Sequence, residues 1–240
     1  MLKYYSTSNY GNRQCNEDSL RVSIVGDQYC FVVCDGLGGH ELGNVASDLV
    51  SSVFAEEFND CEIESFLPKT FEIAQNELVK KQKELQIQNA MKTTAVVFTT
   101  DGKQGFVGNI GDSRFYGFNK DGEYIRTLDH SVPQVLVESN TIKEDEIRNH
   151  PSRSMLLKVM GDNYDEQICD LFEPFLISDY KAFLLCTDGF WELITEDEMK
   201  VELTNSNSPQ EWLDKMIEIV QINGKDKDMD NYTAIAIFTE

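Results

Sequence analysis

Acidic residues follow or precede short apolar segments at several places in this sequence. Residues 31–34 are apolar and end in Asp35, which is followed by three glycines within four residues. The other acidic residues in comparable places are Glu17, Asp18, Asp112, Asp188 and Asp230. A buried carboxylate needs a compensating partner, and carboxylates that lie close together repel one another. Because hard divalent cations relieve this repulsion and prefer oxygen ligands, the pattern indicates a site for Mg²⁺ or Mn²⁺.

Each of these motifs has a simpler interpretation when it is taken alone. Asp-Gly pairs are common in turns, so a single pair such as Asp35-Gly36 is more typical of a surface turn than of a metal site. The same arrangement recurs at Asp188-Gly189, and other acidic residues lie beside further apolar segments. This recurrence favours the metal site.

Short strands and paired helices must carry these residues. Alternating apolar residues predict a hairpin from residues 20–25 and 29–34. Further strands are predicted at residues 93–100, 105–110, 114–118, 124–128, 171–177, 182–187 and 232–238. Helical spacing predicts one helix beginning near Gly43 and a second whose apolar stripe contains Phe71, Ala74, Leu78 and Leu85. Two later helices are predicted from their first residues, a capping box at Thr195 and a start at Ser208 with Pro209.

The order of these elements favours the α+β class, since the strands cluster and the helices come in pairs. Antiparallel hairpins dominate, so two sheets packed face to face with helix pairs outside would bury the apolar faces. Residues 132–170 are polar and mixed in pattern, and we expect them to form a flap inserted into a single domain that spans residues 1–240.

Composition excludes several classes of function. The chain has 240 residues and a formal net charge of −21 at pH 7, which argues against binding to nucleic acid or to an anionic membrane surface. The six cysteines include no C-x-x-C pair, so neither a zinc site nor a disulfide framework is expected. The first residues contain no apolar signal segment, and no apolar run approaches membrane-spanning length, so we expect a cytoplasmic protein.

Taken together and in order, the motifs resemble those of the metal-dependent protein phosphatase family of the 2C type, in its bacterial branch. The resemblance covers nearly the whole chain. The motifs that carry it are Arg13-x-x-Asn16-Glu17-Asp18, the DGLGGH run at residues 35–40, Thr93-Thr94-Ala95, Gly111-Asp112-Ser113-Arg114, Asp129-His130-Ser131, Asp188-Gly189 and Asp230-Asn231, with Asn149-His150-Pro151 and Gly161 in the flap.

The resemblance implies a four-layer α-β-β-α sandwich with a metal centre at one end of the sheets. It implies two tightly bound Mn²⁺ or Mg²⁺ ions bridged by Asp35, and a third, weaker ion. The remaining implied ligands are Asp188 and Asp230 for the first ion, Glu17 and the Gly36 carbonyl for the second, and Asp112 with Asp188 for the third. Asp18 would orient the attacking water, and Arg13 would hold the substrate phosphate, since a guanidinium matches two phosphate oxygens.

Leu37, Lys92 and Glu192 depart from the pattern of the family, and three histidines need separate interpretation. Leu37 stands where eukaryotic relatives have a histidine that is thought to protonate the leaving group. His40 lies three residues further on, and we expect it to have a loop role rather than that of the missing acid. Lys92 replaces a glycine that often precedes the Thr-Thr pair. Glu192 stands where an aspartate often assists the third ion, so it is only a possible ligand. His130 and His150 are expected to be structural hydrogen-bonding residues.

The resemblance therefore predicts a phosphoserine and phosphothreonine protein phosphatase, acting on phosphorylated proteins opposite a bacterial Ser/Thr kinase, as a monomer. Two alternatives stay open at the level of the sequence. One is a catalytically weak pseudophosphatase that acts as a binding module. The other is a phosphatase of a stress-response regulator, with the same chemistry and a different partner.

Overall fold

The computed structural model describes residues 1–37, 42–59, 62–87, 90–164 and 168–239. In these residues the strands are, in chain order, β1 (Lys3–Asn9), β2 (Asp18–Val25), β3 (Gln28–Asp35), β4 (Ala95–Thr100), β5 (Gln104–Ile110), β6 (Arg114–Asn119), β7 (Tyr124–Arg126), β8 (Asp170–Leu171), β9 (Phe175–Leu176), β10 (Tyr180–Cys186) and β11 (Tyr232–Phe238). The α-helices are α1 (Gly43–Glu57), α2 (Ile63–Leu85), α3 (Val132–Glu138), α4 (Asp188–Trp191), α5 (Glu196–Thr204) and α6 (Pro209–Gly224).

The strands form two antiparallel sheets. The first has the order β1-β11-β10-β6-β7, and the second has the order β2-β3-β4-β5-β8, with β9 also paired to β5. Apolar side chains from the two sheets meet face to face in a central core that includes Phe31, Phe98, Phe115, Phe183 and Ile235. The rings of Phe98 and Phe183 lie 4.8 Å apart in this layer. Full burial of each such side chain contributes about 1.5–3 kcal/mol to folding.

Helices cover the outer face of each sheet. Helices α1 and α2 pack on the second sheet through Phe54, Phe71 and Leu78. Helices α5 and α6 cover the first sheet, where Met199 and Trp212 are buried. The predicted α+β fold, a four-layer sandwich of two antiparallel sheets between helix pairs, is confirmed.

The predicted helix starts at Thr195 and Ser208 are also confirmed. The Thr195 side chain accepts a hydrogen bond from the Glu198 amide, and the Glu198 carboxylate accepts one from the Thr195 amide at 2.8 Å. Ser208 accepts from the Glu211 amide at 3.1 Å, and α6 begins at Pro209. These bonds satisfy amides that have no partner within the helix.

Three predictions about the elements were wrong in detail. Strand β1 was not predicted, since most of its side chains are exposed or half-buried at the sheet edge and show no apolar alternation. The predicted strand over residues 171–177 is two strands of two residues each, because Pro174 between them cannot donate to a sheet. Leu85 was placed on a buried stripe, but it is the last residue of α2 and is exposed.

Among the described cysteines, Cys15, Cys34, Cys169 and Cys186 form no disulfide. Cys30, Cys34, Cys169 and Cys186 are buried, Cys15 is exposed, and Cys61 lies outside the described residues. A search of the described helices finds none with the length and apolar character needed to cross a membrane.

Residues 132–170 combine short helices with irregular chain. Helix α3 is followed by a 3-10 helix at Glu144–Asn149, where a short helical piece was predicted. Arg148 in this helix donates to the Trp191 carbonyl at 3.1 Å and to the Glu196 carboxylate at 2.7 Å. Further along, Met160 and Thr93 exchange backbone hydrogen bonds. The segment is thus bound to both halves of the sandwich.

Candidate active site

A pocket of about 790 Å³ lies where the two sheets end. It is lined by most of the residues that the sequence singled out: Arg13, Glu17, Asp35, Gly36, Asp112, Asp188 and Asp230. Asp18 and Glu192 are not part of the lining. The reason for the convergence is topological, since each of these residues ends or precedes a strand and the strands end on one side of the sandwich.

Asp18 and Asp35 occupy paired positions at the open end of the second sheet. Asp18 begins β2 and lies directly opposite Asp35, the last residue of β3. The carbonyl of Asp35 accepts hydrogen bonds from the Thr94 amide and the Thr93 hydroxyl, both at 2.8 Å. The Asp35 amide donates to the Thr94 hydroxyl at 2.9 Å. The Thr-Thr pair therefore fixes the backbone from which the Asp35 carboxylate projects.

Asp188 is positioned by Thr187 and Gly189. The Thr187 hydroxyl donates to Asp18 at 3.0 Å and accepts from the Thr233 amide at 3.0 Å, so it links Asp18 of the second sheet to β11 of the first. Gly189 lies against the backbone of β11. A Cβ atom there would lie 2.0 Å from the Asn231 carbonyl oxygen, so only glycine fits.

Asn231 fixes the loop that carries Arg13 and Glu17. Its side-chain oxygen accepts from the Glu17 amide at 2.8 Å. Its side-chain nitrogen donates to the carbonyls of Tyr10 and Cys15, at 3.0 and 2.9 Å. Neither Asn231 nor Thr187 was given a role from the sequence, although Asn231 is part of a quoted motif. Only its strand-end position could have suggested it.

Asp112 projects from a backbone turn held by His130 and Trp191. Gly111 has a φ of +98°. Its amide donates to Nδ1 of the His130 ring at 3.0 Å, and its carbonyl accepts from the His130 amide at 2.8 Å. The Trp191 indole donates to the Asp112 carbonyl at 2.9 Å. The predicted structural role of His130 is confirmed, as is that of His150, whose ring accepts from the Ser152 amide at 3.1 Å.

Burial raises the pKa of several acidic groups at this site. It raises the pKa of Asp35 and Asp112 well above the ordinary value, and the neighbouring carboxylates, Asp188 among them, add to the effect. Burial and Asp230 raise the pKa of Asp188. Burial, followed by the charge of Asp188, raises the pKa of Asp18 to about 8. Each shift shows that the charged form lacks compensation from the protein alone.

These residues fit divalent cations. Asp18 Oδ1 and Asp188 Oδ1 are buried and have no hydrogen-bond partner among the described residues, a costly state for carboxylate oxygens and one that a cation would relieve. Within the ranges described above, no three His, Cys, Asp or Glu side chains already form a compact metal-binding group. The fit therefore depends on the shared pocket, the two unpartnered oxygens and the all-oxygen donor set.

Basic side chains bind several of these carboxylates. Arg13 donates from Nε and Nη2 to both oxygens of Asp230, at 3.1 and 3.2 Å, and from Nη1 to Asp228 at 3.1 Å. Arg153, which sequence reasoning missed, donates to Glu192 at 2.9 Å. Burial and Asp188 raise the pKa of Glu192 to about 7, against the lowering effect of Arg153. Arg13 thus lies at the site as predicted, with its guanidinium bound to protein carboxylates.

The predicted positions in the glycine loop are only partly described. Leu37 lines the pocket, and its amide donates to the Lys92 carbonyl at 3.0 Å. Gly38, Gly39 and His40 lie outside the described residues, so the expected loop role of His40 stays a prediction.

The family model described as Protein phosphatase 2C matches residues 6–232. The chain belongs to the protein phosphatase 2C family. Among curated proteins it resembles the serine/threonine phosphatase stp of Listeria innocua, with 30% identity over 94% of this chain and 90% of that protein. From the family match and this similarity it follows that the chain is a protein serine/threonine phosphatase of the 2C type.

Solved 2C-type structures agree with this membership. The serine/threonine phosphatase Stp1 of Staphylococcus aureus has a TM-score of 0.90 and 28% identity, over 100% of this chain and 96% of that one. The catalytic domain of the phosphatase PstP, solved in complex with 2 manganese ions, has a TM-score of 0.80 over 99% of this chain and 97% of that one. Its identity of 23% supports the shared fold alone.

Proposed function

We propose that this phosphatase hydrolyses phosphoserine and phosphothreonine residues of proteins at a centre of two Mn²⁺ or Mg²⁺ ions. The observation that carries the proposal is the pair of unpartnered buried oxygens, Asp18 Oδ1 and Asp188 Oδ1, beside a pocket lined by further carboxylates. The manganese ions of the PstP structure support the choice of metal. When bound, the ions would acidify the attacking water and neutralise the phosphoryl oxygens.

Each acidic residue of the site is assigned a role from its position. Asp35 interacts electrostatically with Asp18, Asp188 and Asp112, so it is the central ligand and the one we assign to both ions. Asp188 and Asp230 would complete the protein ligands of one ion, and Glu17 with the Gly36 carbonyl would complete those of the other. Asp18 lies behind the pocket, where it accepts a hydrogen bond from the Thr187 hydroxyl, and we assign it to orienting the attacking water.

Arg13 is the residue we assign to the substrate phosphate. Its guanidinium borders the pocket and already binds a planar carboxylate through two parallel hydrogen bonds, the geometry that a phosphate also accepts. An incoming phosphate would compete with Asp230 for this side chain, and Asp230 would then turn to the ion.

Asp112 and Glu192 are proposed for a weaker, third ion. Asp112 faces the pocket, and its pKa is raised by burial, Asp188 and Glu192. Glu192 is engaged by Arg153, so the third ion would have to displace a cation of the protein. This competition supports weak binding.

We further propose that residues 132–170 act as a flap within one domain, and that the protein works as a monomer opposite a Ser/Thr kinase. Phosphorylated proteins are the substrate class of the relatives, whose names call them serine/threonine phosphatases. A phosphorylated stress-response regulator remains the second candidate within that class.

The test combines turnover of a phosphothreonine peptide with metal-induced changes in melting temperature. Chelation should abolish turnover, and Mn²⁺ should raise the melting temperature because ions bind only the folded site. Asp35→Asn should lose both effects. Asp112→Ala should keep the Mn²⁺-induced rise and lose turnover by on the order of tenfold or more. Full turnover in excess EDTA would contradict the metal centre, and wild-type turnover of Asp112→Ala would remove the third ion from the reaction.

A further inference from the structure

An ion pair between Lys92 and Asp162 forms part of the pocket wall. Lys92 Nζ contacts Asp162 Oδ1, and both residues line the pocket together with Asp35 and Asp188. Neither belongs to the proposed metal ligands. Lys92 also departs from the glycine expected at this position from the resemblance. The pair is therefore a feature of this chain that the proposed reaction does not use.

The backbone of both residues is held firmly beside the site. The Lys92 carbonyl accepts from the Leu37 amide at 3.0 Å, one residue beyond the proposed ligand Gly36. On the flap side, buried glutamines of α2 hold the turn before Asp162. The Gly161 amide donates to Gln75 at 2.8 Å, and the Gly161 carbonyl accepts from Gln82 at 2.9 Å.

One of these glutamines also holds the backbone of Asp162 itself. Gln75 donates from its side-chain nitrogen to the Asp162 carbonyl at 2.5 Å. Gly161 has a φ of +94°, and a Cβ atom there would lie 2.9 Å from the Met91 carbonyl oxygen, so the turn passes closely over the segment that carries Lys92. This packing fixes where the Asp162 carboxylate points before any substrate arrives.

Asp162 is the accessible member of the pair. Its side chain is 40% exposed, whereas that of Lys92 is 16% exposed. The ion pair uses Oδ1, which leaves Oδ2 for a second cation. Lys92 thus holds the carboxylate in place, and Asp162 presents a negative charge at the pocket.

The charge of the pocket favours a cationic neighbour for the phosphate. The lining contains six acidic side chains and two basic ones, Arg13 and Lys92. Two divalent cations would balance this difference. A phosphorylated side chain brings about 1.5–2 further negative charges at pH 7. The occupied pocket would then be negative again, and a basic residue of the substrate would offset part of this charge.

We propose that Asp162, held in place by Lys92, is a specificity-determining residue that binds a lysine or arginine side chain next to the phosphoresidue of the substrate. The inference rests on the proposed phosphatase function and deepens it. The recognised substrates are phosphopeptide segments with a basic flanking residue.

The experiment compares phosphothreonine peptides that differ only by Arg, Ala or Glu at each position within four residues of the phosphoresidue. In the wild-type protein, kcat/KM should be higher for Arg than for Ala at one or more of these positions. Asp162→Asn should lower this Arg-to-Ala ratio by about two- to fivefold, the size expected for a partly exposed charge pair. The change should appear in KM more than in kcat.

Two variants sharpen the result. Asp197 is another lysine-paired aspartate, bound to Lys200 and outside the pocket, so Asp197→Asn should keep the wild-type ratio. Asp162→Lys should reverse the preference in favour of Glu-flanked peptides. Such a reversal would not arise from a purely structural role.

The outcomes separate this inference from the proposed function. If the wild-type protein hydrolyses neither the Arg-flanked peptides nor the Ala-flanked peptide in Mn²⁺, the proposed function is wrong. If it hydrolyses that peptide without preferring Arg at any position, or if Asp162→Asn keeps the full preference, only the role of Asp162 is overturned.

Discussion

Asp18 shows how strongly burial governs the acidic residues of this site. One of its oxygens accepts from the Thr187 hydroxyl, whereas the other is buried without a partner. Burial raises its pKa to about 8, against an ordinary value of about 3.9 in an unfolded chain. Between these two values the folded protein binds a proton that the unfolded chain has released. Asp18 therefore contributes stability at low pH, and this contribution is lost as the pH rises through about 8.

The metal-free protein should consequently melt at a lower temperature at pH 8 than at pH 5.5. One proton of difference corresponds to about 1.4 kcal/mol per pH unit, and each kcal/mol shifts the melting temperature of a domain of this size by about 2–4 °C. Calorimetric melting in EDTA across this pH range measures the effect. Asp18→Asn should flatten the dependence, and Mn²⁺ should stabilise the wild-type protein most at pH 8. An equal slope in Asp18→Asn would assign the effect to other groups.

The sequence was sufficient to name the carboxylates of the site but not their hydrogen-bond partners. Asp35 and Asp188 could be predicted because an acidic residue that follows an apolar run can be recognised in the sequence alone. The roles of Thr187 and Asn231 depend on contacts between segments far apart in the chain. Arg153 was missed because it lies in the irregular chain of residues 132–170, where no periodicity shows which way a side chain points.

At the scale of elements, a buried network of charged groups connects β6 with α4, beside the turn that contains Asp112. Arg114 of β6 is fully buried and binds both oxygens of Asp129, at 2.8 and 2.6 Å. Its guanidinium lies 3.4 Å from the centre of the Trp191 ring in α4, whose indole binds the Asp112 carbonyl. A displaced Arg114 would therefore disturb the backbone of Asp112.

Removing one partner of the buried Arg114–Asp129 pair should lower the free energy of unfolding more than removing both partners. Asp129→Ala removes the closest carboxylate of the buried Arg114 and leaves it Glu196, at 3.7 Å, as its ion-pair partner among the described residues, so it should lower the free energy of unfolding by about 3–5 kcal/mol. The double variant Arg114→Met, Asp129→Leu removes both charges and should lose less. Urea unfolding of the two variants measures the difference. A larger loss in the double variant would mean that packing against Trp191, and not the charge pair, stabilises this region.

Strands with an apolar face and helices with capping residues could be predicted from local pattern. The box at Thr195 and the start at Ser208 are decided within four residues, so the sequence suffices. Strand β1 could not be found in this way, because its pairing with β11 joins chain segments more than two hundred residues apart and buries little of it. The break at Pro174 could have been predicted from the missing proline amide.

At the scale of the whole molecule, negative charge works against the compact state. The formal net charge is −21 at pH 7, and like charges spread over one folded domain repel one another. Salt screens such repulsion, since the Debye length falls from about 30 Å at 0.01 M to about 8 Å at 0.15 M. Surface ion pairs such as Lys80–Glu77 act in the opposite sense and weaken with salt.

We expect repulsion to dominate, so that NaCl stabilises the metal-free protein. Raising NaCl from 0.01 to 0.15 M in EDTA should increase the melting temperature by roughly 2–4 °C for each kcal/mol of screened repulsion. Differential scanning calorimetry at pH 7 measures it, and sucrose at equal osmolality controls for solvent exclusion. A melting temperature that falls with NaCl would show that attractive pairs outweigh the repulsion.

The hydrogen bonds of Asn231 affect when the pocket can form during synthesis of the protein on the ribosome. They join the loop at residues 10–17 to the start of β11, and β11 then pairs with β1. Since translation proceeds from the N-terminus, Arg13 and Glu17 are made early. The partners of the Arg13 guanidinium and of the Glu17 amide, at residues 228–231, emerge only much later. A nascent chain that lacks residues 230–238 can form the hairpin of β2 and β3, but it cannot complete the pocket. Phosphatase activity would therefore begin only when synthesis of this domain is nearly finished, so unfinished chains would not dephosphorylate their surroundings.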